Sequence, residues 1–132
     1  MAWFPNWTQY LIVLYRLDAN ATFIPERTFA NGSVNSFTIQ GSNLRDIEEH
    51  AFEGTAQRLD TLSIHNSLDL KIVPRAVSKI SALKRLDLSN NAISEIYAYT
   101  FFGSAKLSHL NLEANQLSKM AENAFLGKTY FQ

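Results

Sequence analysis

The chain has 132 residues, of which 46% are apolar and 18% charged, and its twelve basic side chains balance twelve acidic ones. It contains no cysteine, which excludes disulfides, thiolate metal sites and a cysteine nucleophile. Zero net charge gives no electrostatic reason to expect nucleic acid as a partner, and no apolar run approaches the roughly 20 residues that span a bilayer. We therefore expect a core-forming domain or short repeat array without membrane insertion.

The first apolar block, residues 10–15, consists of β-branched, aromatic and leucine residues, which predicts a buried strand. A secretory signal peptide would need a basic residue ahead of this block, but Arg16 is the first basic residue of the chain. Ala19-Asn20-Ala21 resembles a cleavage site, yet Arg16 and Asp18 interrupt the apolar run before it. We therefore expect no export signal in these residues, and we expect the chain to be a fragment of a longer protein.

An internal repeat organises the rest of the chain. The pattern L-x-x-L-x-L-x-x-N-x-[IL] starts at Leu83 and again at Leu107, 24 residues later. Apolar residues occupy the same repeat positions in two earlier units. One unit begins at Leu59, 24 residues upstream of Leu83, and the other begins at Val34, a further 25 residues upstream. Residues 10–33 read as a degenerate first copy. The sequence thus predicts a single array of about five units, at residues 10–33, 34–58, 59–82, 83–106 and 107–130.

This repeat resembles that of the leucine-rich-repeat family, typical extracellular subtype. The Ala-Phe pairs at 51–52 and 124–125 and the glycines Gly54, Gly103 and Gly127 are typical of that subtype. The resemblance implies an α/β leucine-rich-repeat solenoid, with short parallel strands on the concave face and an irregular or short helical convex side. It also implies an extracellular or cell-surface protein, although the Cys-rich caps of extracellular members are absent.

The spacing assigns roles to particular side chains. Residues at positions 4 and 6 of each unit point inward from a short strand. At position 9, Asn91 and Asn115 are expected to bond backbone groups that the turn leaves without partners, and Ser42 and Ser67 occupy the same slot. A second buried spine is expected from four recurring aromatic residues: Phe29, Phe52, Phe101 and Phe125.

The third unit departs from the pattern. One extra residue lies between His65 and Leu70, and Pro74 and Val77 stand where an acidic turn and a phenylalanine are expected. We expect a local bulge or loop there. Stacking of the second and third units should also form a surface ion-pair cluster, with Glu49 near Arg75. Its acidic row is Glu48, Glu49 and Glu53, and its basic row is Lys71, Arg75 and Lys79.

No catalytic or cofactor motif occurs in the chain, and its three histidines, His50, His65 and His109, do not share a column of the repeat. We therefore expect no catalytic residue, metal or cofactor. The sequons at Asn6, Asn20 and Asn31 match the N-glycosylation acceptor, although some matches arise by chance.

The remaining candidate surface is the outward face of the strands, at positions 3, 5, 7 and 8 of each unit. These residues are Ser36, Thr38, Gln40, Gly41, Thr61, Ser63, His65, Asn66, Arg85, Asp87, Ser89, Asn90, His109, Asn111, Glu113 and Ala114. The predicted protein-binding residues are Arg85, Asp87, His109, Asn111, Glu113 and His65. The alternative is a sheet face that is only solvated, since no aromatic anchor lies among these positions.

The family resemblance implies a non-enzymatic module that binds another protein through its concave face. The joints between units also resemble secreted arthropod leucine-rich-repeat proteins, among them the non-catalytic subunit of the Oplophorus-luciferin monooxygenase, which implies a scaffold. The alternative function is a structural or self-associating subunit that forms a homodimer through uncapped ends, because terminal units of repeat arrays expose apolar faces.

Overall fold

The computed structural model describes residues 11–14, 22–29 and 34–126, the first of these ranges for its backbone alone. The described strands, in chain order, are β1 (Leu11–Leu14), β2 (Phe23–Ile24), β3 (Ser36–Gln40), β4 (Asp46–Ile47), β5 (Thr61–His65), β6 (Arg85–Asp87), β7 (Glu95–Ile96), β8 (His109–Asn111) and β9 (Lys119–Met120). A 3-10 helix, η1 (Arg75–Lys79), lies between β5 and β6. It is the only helix in the described part of the chain.

The long strands form one five-stranded parallel sheet in the order β1-β3-β5-β6-β8. Leu62 lies level with Phe37 on one side and with Leu86 on the other, and Leu86 lies level with Leu110. Each strand is therefore one turn further along a solenoid, as the 24-residue repeat predicts. The strand predicted at residues 10–15 is confirmed at β1, which pairs with β3. The unit boundaries proposed from the sequence stay a prediction.

Alternation along the strands separates core from surface. In β3 and β5, buried and half-exposed side chains alternate, and the inward residues Phe37, Ile39, Leu62 and Ile64 are fully buried. Burying one such side chain stabilises the fold by about 1.5–3 kcal/mol, and stacking makes the buried column continuous along the solenoid. The opposite faces of these strands are left for polar side chains.

A residue with positive φ follows each of the strands β3, β5, β6 and β8. Gly41, Asn66, Asn90 and Ala114 have φ values of 62°, 59°, 61° and 58° and occupy equivalent positions in four successive turns. Each of them precedes the position 9 residue. The chain turns at this residue, so the side chain at position 9 points into the interior.

The side chain of Asn91 then pairs backbone groups of two turns. Its Nδ2 donates to the carbonyl oxygens of Ile64 (2.7 Å) and Leu88 (2.8 Å), and its Oδ1 accepts the N–H of Ser67 (2.9 Å). Asn115 repeats this arrangement one turn later, since it donates to Leu88 (2.8 Å) and accepts from the N–H of Ile93 (2.9 Å). The predicted bonding of backbone groups by the position 9 asparagines is thereby confirmed, and the stacked side chains form an internal ladder.

Serines continue the ladder in the earlier turns. The hydroxyls of Ser42 and Ser67 are 2.7 Å apart and hydrogen-bonded, and Ser42 Oγ also accepts the N–H of Leu44 (3.3 Å). A hydroxyl replaces fewer of the missing bonds than an amide does, since it has one donor where the amide has two.

The phenylalanine spine is present as two stacked pairs. Phe29 and Phe52 have ring centroids 4.9 Å apart and nearly parallel planes, and Phe101 stacks on Phe125 at 5.2 Å. The smaller Val77 of the third turn separates the two pairs, at the place where the sequence lacks the expected phenylalanine. Gly127 and the sequon asparagines Asn6, Asn20 and Asn31 lie outside the described residues.

The irregularity of the third turn is confirmed. Leu70, fully buried, follows Ser67 by three residues, whereas Leu44 follows Ser42 by only two. Leu68 is displaced outward and is 72% exposed. On the convex side, β2 pairs with β4 and β7 pairs with β9, but the third turn contributes no strand between them and forms η1 instead.

The predicted contact between the acidic row of the second turn and the basic row of the third is confirmed at one pair, but the pairing of Glu49 with Arg75 is wrong. Glu49 contacts Lys79 Nζ at 3.4 Å, and Arg75 bonds Asp46 through both its backbone N–H (2.9 Å) and its guanidinium. The hydrogen bond to Asp46 and its charge raise the pKa of Arg75 further above its ordinary value. Because η1 replaces the usual return segment, its basic residues are shifted relative to the acidic residues of the second turn.

Replacement of Asn91 by alanine should destabilise the fold by about 3 kcal/mol. The change leaves the N–H of the fully buried Ser67 without an acceptor and the carbonyl of Ile64 without this donor. The free energy of unfolding in urea measures the effect. Asn90→Gly is the control, because Asn90 is exposed and glycine accepts its positive φ. If Asn91→Ala and Asn90→Gly lowered the free energy of unfolding equally, the Asn91 side chain would not stabilise the fold through these bonds.

Replacement of Gly103 by alanine should destabilise the protein by about 1–3 kcal/mol through overpacking. A Cβ at residue 103 would lie 1.6 Å from the carbonyl oxygen of Ser78 in η1, so the backbones of the third and fourth turns must separate. Ala105→Ser, an equally small change at an exposed neighbour, is expected to shift the melting temperature little. An unchanged melting temperature for Gly103→Ala would show that this close approach is not required.

Candidate functional site

The outward residues of β6 and β8 form rows across the concave face. Arg85 pairs in register with His109, and Asp87 pairs with Asn111. Parallel neighbours in a sheet are about 4.8 Å apart, so each pair can contact one ligand group together. This register follows from the 24-residue spacing, which puts the same repeat position at the same level.

A depression of about 530 Å³ covers these rows. Its lining residues are Thr61, Ser63, Arg85, Leu86, Asp87, His109, Leu110, Asn111 and Glu113. Five of the six residues predicted from the sequence therefore lie together. His65, the sixth, is outside this lining.

Asp87 and Asn111 are held in the same way. The Oδ1 of Asp87 accepts the N–H of Ser89 (3.0 Å), and the Oδ1 of Asn111 accepts the N–H of Glu113 (2.9 Å). Each side chain thus caps the turn that follows its own strand. Such local bonds fix the direction of the side chain and leave its second polar atom available.

The basic residues of the depression differ in their surroundings. His109 Nδ1 lies 2.9 Å from the hydroxyl of Ser108, which orients the ring. Arg85 is exposed and makes no ion pair with the described residues. Its guanidinium keeps its donors available for a partner.

His65 packs toward the fourth turn and does not project into the depression. Its Nδ1 lies 3.2 Å from Ser89 Oγ and 3.9 Å from Asp87 Oδ1, and its side chain is 19% exposed. His65 is level with Gln40, whereas His109 is level with Arg85, so the two histidines occupy different columns, as predicted. Within residues 11–14, 22–29 and 34–126, no three His, Asp or Glu side chains gather closely enough to hold a metal ion.

The depression suits recognition of a polar surface. It presents donors from Arg85 and His109 beside acceptors from Asp87 and Glu113, and its lining contains no aromatic residue. Opposite charges lie side by side, which favours contacts with a partner of mixed polarity.

An aromatic surface that the repeat pattern does not predict lies on the convex side. Tyr97 and Tyr99 are each 52% exposed and Phe102 is 61% exposed. A signal was available, since Tyr97 and Tyr99 do not recur as aromatic residues at the 24-residue spacing, as core positions do.

Comparison with known proteins places this architecture in a family. A family model for the BspA type leucine-rich repeat region matches residues 12–132 in six copies. A similar solved structure is the crystal structure of the TLR13-ssRNA13 complex, with a TM-score of 0.50, 16% sequence identity and 93% of this chain covered. This chain spans 24% of that chain's length, and at this identity the likeness shows the fold alone.

The described part of the chain has no helix of the length and apolarity that a membrane crossing requires. The predicted leucine-rich-repeat solenoid is confirmed, whereas the extracellular subtype and the likeness to secreted arthropod proteins stay predictions. Because the family match extends over nearly all of the sequence, the chain belongs to the BspA-type leucine-rich repeat family.

Proposed function

We propose that this chain is a non-enzymatic protein-binding module and that its partner contacts the concave face. Leucine-rich-repeat proteins typically bind other proteins and are typically non-catalytic. The observation that carries the proposal is the register of β6 and β8, which joins Arg85, Asp87, His109, Asn111 and Glu113 in one depression. His65, the sixth residue, contacts Ser89, whose backbone N–H bonds Asp87 of this depression.

The charge of the depression favours a protein partner over nucleic acid. The solved neighbour TLR13 is in complex with single-stranded RNA, a ligand of that protein. Binding to a phosphate backbone needs several uncompensated basic groups, and here Asp87 and Glu113 line the same depression as Arg85. A polar protein surface can satisfy both signs at once.

The family match supports a surface or extracellular location, and the proposal includes that location. The sequons at Asn6, Asn20 and Asn31 agree with passage through a secretory compartment. Mass spectrometry of the protein purified from its natural source tests this directly, because glycans on these asparagines require export.

Replacement of Arg85 and His109 by alanine should weaken partner binding about tenfold or more, since two adjacent donors are lost. The partner is first captured on the immobilised chain, identified by mass spectrometry and purified, and its dissociation constant is then measured for each variant.

Lys106→Ala is the matched control, because it removes an exposed basic residue outside the depression. Single-stranded RNA serves as the competing ligand. The same affinity for wild type and for the Arg85/His109 variant would contradict the proposal, and so would tighter binding to RNA than to any captured protein.

The alternative is a self-associating scaffold. In the last described turn, Leu117 is 38% and Met120 52% exposed, whereas their counterparts one turn earlier, Ile93 and Ile96, are buried. These apolar side chains can pack either against a further repeat unit or against a second copy of the chain.

Light scattering separates the two functions. A self-associating scaffold requires a dimer that Met120→Lys converts to a monomer, because a charge would then be buried in the contact. The protein-binding proposal predicts a monomer for both wild type and variant.

A further inference from the structure

Hydrogen-bond donors and acidic acceptors occupy opposite ends of the concave depression. Arg85 and His109 lie level with each other at the start of β6 and β8, and we call this pair the donor end. Asp87 lies two residues beyond Arg85, and Glu113 lies four residues beyond His109. We call Asp87 and Glu113 the acceptor end. Because a strand rises about 3.3 Å per residue, these offsets place the two ends roughly 7–13 Å apart.

Backbone hydrogen bonds keep the acceptor end together beyond the strands. The N–H of Leu88 donates to the carbonyl of Asn111 at 2.8 Å, and the N–H of Asn90 donates to the carbonyl of Glu113 at 3.0 Å. Glu113 therefore lies beside the segment that follows Asp87. The two carboxylates are diagonal neighbours on one surface, so one basic side chain of a partner can reach both.

The side chains at both ends keep polar atoms for a ligand. Within the described residues, Arg85 and Glu113 form no ion pair, and neither side chain forms a hydrogen bond. Asp87 accepts the N–H of Ser89 through Oδ1, which leaves Oδ2 for a partner. The ring of His109 is held at Nδ1 by the preceding residue, which leaves Nε2. Both ends can therefore bond a ligand without first breaking an internal contact.

The opposite charges of the depression do not neutralise each other. On the convex side, the guanidinium of Arg75 bonds the carboxylate of Asp46 across neighbouring turns. Arg85 and Asp87, by contrast, share one strand and form no such pair. A ligand with charge of one sign would be repelled at one end of the depression. A ligand with separated charges of both signs is attracted at each end, and charge complementarity therefore selects it.

We propose that the depression binds a partner segment with one acidic and one basic side chain about 7–13 Å apart. The acidic side chain contacts Arg85 and His109, and the basic side chain contacts Asp87 and Glu113. Side chains two to four positions apart in an extended segment, or four apart in a helix, have about this separation. This inference rests on the proposed function, because it names the chemistry of the partner at the same site.

The test selects displayed random peptides on the immobilised full chain and measures each synthetic binder by fluorescence polarisation. We expect binders with one acidic and one basic residue two to four positions apart. Changing the acidic residue of a binder to lysine should weaken its binding to wild type about tenfold or more, because like charges then meet at the donor end. The Arg85→Glu variant should recover most of that loss, which a variant that only disturbs the fold would not do.

The acceptor end is tested in the same way. Changing the basic residue of a binder to glutamate should weaken binding about tenfold or more, and Glu113→Lys should recover most of the loss. Arg85 and Glu113 are exposed, so both variants should keep the wild-type melting temperature. Lys106→Ala, which removes an exposed charge outside the depression, should bind every peptide as wild type does.

Two kinds of result would overturn this inference and leave the proposed function intact. One is the absence of recovery at either end. The other is a set of binders that depend on Arg85 and His109 but carry no charge, or charge of one sign only. If no peptide depends on the depression, the inference also fails. The effect of the Arg85/His109 alanine variant on the captured partner then decides the proposed function separately.

Discussion

The structure depends on one interaction, in which a buried side chain takes over backbone hydrogen bonds where a short strand ends. A strand of three to five residues must leave the sheet abruptly, and its last carbonyls and the next amides then lie inside the solenoid. Asn91 and Asn115 bond these groups in their own turn and in the turn before, and serines do part of the same task earlier. Without these bonds, the buried polar groups would oppose the stacking of the apolar residues.

The same constraint explains the regular concave side and the irregular convex side. Where the turns repeat regularly, the strands stay in register, and polar residues of β6 and β8 line one shallow concave depression. Where Pro74 removes a backbone donor, the convex strands stop and a groove opens beside two half-exposed tyrosines. Regularity thus creates the concave surface, and a local departure from regularity interrupts the convex strands.

Much of the fold could be predicted from the sequence, because the repeat period determines which residues lie level with one another. The neighbours Leu62, Leu86 and Leu110 and the role of Asn91 follow from it directly. Contacts that involve the third turn could not be predicted in this way. There the chain gains a residue after Ser67 and forms η1, so Arg75 bonds the buried Asp46 and not Glu49. The orientation of His65 was also inaccessible, since its position in the repeat says only that it leaves the strand outward, whereas Ser89 draws its ring toward the next turn.

Hydrogen exchange at the amides of Ser67 and Ile93 tests the central claim most directly. Each of these amides donates to the side-chain oxygen of an asparagine one turn later, and to no backbone carbonyl. If the ladder holds the turns together, both amides exchange as slowly as those of strand residues such as Leu62 and Leu86. Exchange at the rate of exposed turn amides, with the strand amides still protected, would contradict the account.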